Sequence, residues 1–127
     1  MKRKALQIML AITLLAVVGC AGLIKNSYTS LAVSKTTYYT AMGAVADFQA
    51  QGLISQTQRD QINKVAKIFK DAHNVATDAL EVYKKTSSVG DKEKLITAIA
   101  SAASKWADVA RLINAIKPNT VPEKFGR

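Results

Sequence analysis

The 127-residue chain holds one cysteine, one histidine, two prolines and six glycines. A single cysteine forms no disulfide within the chain, and one Cys with one His falls short of the three or four ligands that a zinc site of these residues needs. With so little Pro and Gly, and with 49% hydrophobic residues, disordered and collagen-like polymers are excluded. No segment of strand length alternates apolar and polar residues, so no sheet is expected. Gly-rich phosphate loops and Gly-x-Ser-x-Gly elbows are missing too. Acidic residues are scarce and scattered, among them Asp47, Asp60, Asp71, Asp78, Glu81 and Asp108, and none falls in the Glu-x-x-His pairs that di-iron bundles require. Neither a catalytic activity nor a cofactor nor a metal is expected from such a residue set. The charge is one-sided, 18 Lys plus Arg against nine Asp plus Glu, which bears on partners more than on fold.

What the chain does carry is an address. Lys2, Arg3 and Lys4 precede an apolar run from Ala5 to Val18 that is broken only by Gln7 and Thr13, the charged and apolar regions of an export signal. Val17-Val18-Gly19-Cys20 closes the run, and there the chain resembles the signal peptide of bacterial lipoproteins, whose lipobox sets small or aliphatic residues before an invariant cysteine. The resemblance implies diacylglycerol on the Cys20 sulfur, cleavage after Gly19 and acylation of the new amino terminus. With Ala rather than Asp at residue 21, it also implies sorting to the outer membrane, facing the periplasm, in a Gram-negative host. The same residues are open to a second reading, a retained transmembrane anchor, because the apolar stretch extends through Cys20-Ala21-Gly22-Leu23-Ile24 to about the twenty residues that span a bilayer. On both readings Lys25 onward lies across the inner membrane, since positive residues stay on the cytoplasmic side. Loss of residues 1–19 removes Lys2, Arg3 and Lys4 and no acidic residue, so the mature chain stays basic, with 15 cationic side chains against nine anionic ones.

Helical spacing governs the rest. From Ser27 to Gln51, Leu31, Tyr38, Met42, Val45 and Phe48 form an apolar stripe interrupted at Ser34 and Lys35, and Gly52 suits the left-handed residue that closes a helix. Ser55-Gln56-Thr57-Gln58 matches a capping box and opens a second helix. Its stripe of Ile62, Val65, Phe69, Ala72, Ala76, Ala79 and Tyr83 is widened by Ala66, Ile68, Val75, Leu80 and Val82. Thr86-Ser87-Ser88-Val89-Gly90 is the break, and Asp91 is the expected N-cap of a third helix with Leu95, Ile99, Ala102, Trp106, Val109, Ile113 and Ile116 in register. Pro118 stops it. Short connections make consecutive helices antiparallel neighbours, so the expected fold is all-α, an up-down-up three-helix bundle. Four units are expected: signal peptide 1–19, lipidated tether 20–26, bundle 27–117 and a flexible tail 118–127, in which Val121 and Phe125 are able to fold back.

Against that scaffold few residues stand out as functional. His73 has no carboxylate on its own face, because Asp71 and Asp78 point elsewhere around the helix, so it is expected as a boundary residue and not a site. Of Tyr38 and Tyr39 one ring must face the core, leaving Tyr39 as a candidate contact. Lys64, Lys67 and Lys70 recur three apart along the second helix and are candidates for attraction to anionic headgroups or a polyanionic envelope component. Nucleic acid is not an expected partner of an exported chain. Through Lys25-Asn26-Ser27-Tyr28, Gly52-Leu53-Ile54-Ser55 and Phe69-Lys70-Asp71-Ala72-His73-Asn74 the mature region weakly resembles small helical lipoproteins of phages and prophages. That resemblance implies a superinfection-excluding or lysis-accessory lipoprotein and transfers no functional residues. The two functional expectations are therefore a non-catalytic binding module tethered to the envelope, and a passive spacer that self-associates through Ile68, Val75, Val82 and Leu112.

Overall fold

The computed structural model describes the backbone of residues 2–126 and the side chains of residues 21–126; Cys20 and the rest of the lipobox side chains lie outside that range. Three helices, α1 (Lys2–Ala50), α2 (Gln56–Thr86) and α3 (Val89–Ile116), form an all-helical antiparallel bundle. Between α1 and α2 the chain turns on Gly52, whose φ of 74° allows Leu53 N–H to bond Phe48 O (2.9 Å) and Gly52 N–H to bond Gln49 O (3.0 Å). That pairing closes the open carbonyls of α1. The capping box then starts α2: Ser55 Oγ accepts from Gln58 N–H (3.2 Å) and Gln58 Oε1 accepts from Ser55 N–H (2.9 Å).

The second turn differs from its expectation. Ser88, not Asp91, is the N-cap of α3; Ser88 Oγ accepts from Asp91 N–H (3.2 Å), while the Asp91 carboxylate accepts from Thr86 Oγ1 (2.6 Å) and Ser88 Oγ (2.7 Å). Val89 and Gly90, expected in the break, are instead the first two residues of α3. Lys117, extended before Pro118, ends α3 as expected.

On α1 and α2 the core follows a seam whose steps alternate between four and three. On α1 it runs Ser27, Leu31, Ser34, Tyr38, Ala41, Val45 and Phe48, and on α2 Ile62, Ala66, Phe69, His73, Ala76, Leu80 and Tyr83. Leu95, Ala98, Ala102, Trp106, Val109, Ala110 and Ile113 bury the face of α3. Ser34 thus belongs to the seam and does not interrupt it; its hydroxyl donates to Ser30 O (2.7 Å), so burial leaves nothing unpaired there. On α2 the expected stripe is rotated: Val65, Ala72 and Ala79 are only half-buried, while Ile68, Val75 and Val82 are exposed.

Two expected boundaries also change. The tether is helical within α1, and its Leu23 and Ile24 pack against the cluster of Leu31, Leu80, Tyr83 and Leu95. The tail expected to fray lies along the bundle instead. Asn114 Oδ1 accepts from Thr120 N–H (3.0 Å) and Val121 N–H (3.1 Å), its Nδ2 donates to Val121 O (3.0 Å), and Trp106 Nε1 donates to Pro122 O (2.8 Å). Val121 is buried and Phe125 touches both core clusters. The tail thereby occupies space between α1 and α3, which is consistent with α1 having little direct contact with α3 while α2 and α3 pack extensively.

Candidate functional site

The best-formed concavity lies between α1 and α2, a groove of about 370 Å³ with Leu31, Tyr38, Phe69, His73 and Leu80 in its walls. Tyr28 and Tyr39, 66% and 57% exposed, flank it on α1, and Lys35, Lys70, Asn74, Thr77 and Glu81 supply its polar edge. Helical geometry places these groups. Tyr28, Leu31, Ala32, Lys35, Tyr38 and Tyr39 recur at steps that keep one side of α1 in line, and Lys70, His73, Asn74, Thr77 and Glu81 do the same on α2.

Phe69 is the hub of the floor. Its ring centroid lies 5.6 Å from Tyr38, 5.9 Å from His73, 5.3 Å from Trp106 and 6.4 Å from Phe125. Tyr38 is half-buried and stands edge-on to Tyr39 at 5.6 Å. Burial, and then the neighbouring Tyr39 phenol, raise the Tyr38 hydroxyl above the usual phenol range, so it stays a neutral hydrogen-bonding group. Tyr39 is the outward ring of the pair, as the sequence suggests.

His73 sits on the α2 seam at the groove floor, where its Nε2 bonds the Leu31 carbonyl at 2.9 Å. A carbonyl accepts only, so Nε2 carries the proton and the ring ties α2 to α1. That geometry makes it a clamp across the helix pair. Among the described residues no group of three or more His, Cys, Asp and Glu side chains converges on a point that would hold a metal ion.

The candidate lysines are not brought together. Steps of three residues turn a helix by about 60° short of a full circle, so Lys64, Lys67 and Lys70 wind around α2 and do not share a face. Only Lys70 reaches the groove that Tyr39 borders; Lys64 and Lys67 are exposed elsewhere on α2. Lys35 and Tyr28 are groove residues that were not among the sequence candidates, and Tyr38, expected to face the core, lines the groove as well; the signal for all three was their shared face with Tyr39. On the outer side of α2, Ile68, Val75 and Val82 stand 45%, 60% and 46% exposed at seven-residue intervals, a continuous apolar strip; Leu112 lies apart on α3.

Cys20 falls outside the described side chains, and within residues 21–126, whose side chains are described, no helical segment is long and apolar enough to cross a membrane. No family model matches the chain, and neither a curated protein nor a solved structure matches it.

Proposed function

We propose that this chain is a small cell-envelope lipoprotein, anchored through Cys20, whose α1–α2 groove is a non-catalytic binding site for an envelope partner. The observation that carries the reading is the pairing of exposed tyrosines with lysines along one groove: Tyr28 and Tyr39 offer large amphipathic rings, and Lys35 and Lys70 select a partner segment with acidic groups. The lipobox residues Val17-Val18-Gly19-Cys20 support the anchor. A phage-encoded role in superinfection exclusion or lysis fits such a module.

The test has two arms. Cys20→Ser should abolish palmitate labelling and leave an unprocessed precursor. A photo-crosslinking residue at Tyr39 should give envelope adducts that one at Ser101, exposed on α3, does not, and Lys35→Gln with Lys70→Gln should reduce them. Equal adducts from both positions would refute the groove as the contact surface.

A second reading, a self-associating spacer, is favoured by the Ile68, Val75 and Val82 strip, whose seven-residue interval suits a helix from another copy. A concentration-dependent mass that Val75→Glu abolishes would support it.

A further inference from the structure

The register between α1 and α2 can be followed from one end of the bundle to the other. Gln49 Nε2 bonds Gln56 Oε1 (2.7 Å), the Tyr38 ring lies against Phe69, and the Leu31 carbonyl meets His73. Continued at equal rise, this antiparallel register brings Tyr83 level with Leu23 and Ile24, against whose cluster they pack. The last turn of α2 and the Ser87–Ser88 linker therefore extend past Leu23 in the direction of Cys20. Only Ala21 and Gly22 separate Cys20 from Leu23, and both belong to α1, about 4.5 Å of helical rise in all. No slack segment stands between the anchor and the packed bundle.

The pole that this geometry turns toward the anchor has a distinct chemistry. Lys25, Lys84, Lys85, Lys92 and Lys94 gather there against Glu81, Asp91 and Glu93, and the Asp91 carboxylate is already engaged by the Thr86 and Ser88 hydroxyls. At the tip Val89 is 73% exposed. At the opposite pole the Gln51–Ser55 turn carries no basic residue of its own; Lys117 and Arg59 flank it, Arg59 engaged by the Gln49 side chain, and Leu53 is 53% exposed. An apolar tip ringed by lysines matches an anionic bilayer surface, where the side chain enters the headgroup region and the ammonium groups meet lipid phosphates.

We infer that the α2–α3 turn, with Val89 at its tip and Lys84, Lys85 and Lys92 around it, is a membrane-docking surface for anionic phospholipid, so that the bundle stands upright on the bilayer. The inference rests on the reading that the chain is anchored at Cys20 or by the apolar run before it; cleavage or retention of that run leaves the same pole facing the membrane.

The test places a benzophenone amino acid at Val89 or at Leu53 in the full chain, reconstituted in vesicles of phosphatidylglycerol and phosphatidylethanolamine. Flotation with the vesicles reports anchoring, and intact mass reports phospholipid adducts after illumination. The expected result is flotation of both variants with lipid adducts severalfold more abundant at residue 89 than at residue 53, which lies about 45 Å away along α2. Replacing Lys84, Lys85 and Lys92 with Gln should lower the adducts at 89 severalfold in these vesicles and leave them unchanged in phosphatidylcholine. Flotation without a preference for residue 89 would overturn the docking surface while leaving the anchor standing. Failure to float would overturn both.

Discussion

The α2–α3 hairpin and α1 are built to different standards of contact. Along α2 and α3 the seam alternates small and large residues, with Ala66, Ala76, Ala98 and Ala102 letting the axes approach and Phe69, Tyr83 and Trp106 filling the space between. α1 meets them with Ser27, Ser34 and Ala41 among its inward residues, leaves a groove open on one flank and has a tail wedged on the other. α1 is thus the helix with the least direct helix-to-helix contact. The close packing is concentrated in the hairpin, while α1 adds Leu31, Ala41, Val45 and Phe48 to the core and leaves a groove where it meets α2.

Trp106→Ala is the largest expected perturbation, about 3–5 kcal/mol, because it empties the centre of the hairpin and also frees the Pro122 carbonyl that holds the tail. A thermal melt that barely moves would show that the hairpin is not the main source of stability. Truncation after Lys117 comes next, roughly 2–4 kcal/mol, from removing Val121 and Phe125, baring the core surface they cover and taking away the carbonyl that the Trp106 indole N–H bonds, less the chain entropy regained. It should loosen α1 more than α2, a difference that amide exchange resolves by segment. In the parent chain the same measurement should find amides of α1 between Leu31 and Phe48 opening at lower free energy than those of α3 between Leu95 and Ile113. His73→Ala should cost about 1–2 kcal/mol, from the lost bond to Leu31 and the lost contact with Phe69, and should sharpen that contrast by releasing α1 alone.

The smallest effect expected is one of pH. The Thr86 hydroxyl, then that of Ser88, holds the Asp91 carboxyl below the usual carboxylate range. A carboxyl whose folded value is depressed contributes stability above its unfolded value and loses it as pH falls through the folded one. Asp91→Asn should therefore flatten the acid limb of a melting-temperature profile below about pH 4 and change little at neutrality.

The three helices were legible in the sequence because their stops carry their own chemistry: Gly52 for a left-handed residue, Ser55 with Gln58 for a reciprocal cap, Pro118 for a helix end. Faces were harder. On α2 two neighbouring stripes share Ile62, Phe69, Ala76 and Tyr83, and the helical period alone fits Val65, Ala72 and Ala79 as well as the observed Ala66, His73 and Leu80. On α1 Ser34 reads as an interruption, although a hydroxyl that bonds the carbonyl four residues back is accommodated in a seam. The tail had no period to read at all. Its fold depends on Asn114 and Trp106, whose partners are backbone atoms that no side-chain pattern announces. For the groove, Tyr39 was legible from the doubled tyrosine, while the company of Lys70 and Lys35 required knowing which flank α1 turns to α2.

Gly126 adopts φ +80° with its Cα so close to α1 that a side chain there would come within 3.0 Å of Ser30 Cβ. Any other L residue at 126 meets both a disfavoured backbone and a collision. Ser30 stands ten residues beyond Cys20, about 15 Å along α1. Gly126 is therefore held beside the part of α1 nearest Cys20, so a domain inserted at the Gln51–Ser55 turn would stand at the other end of the bundle from it.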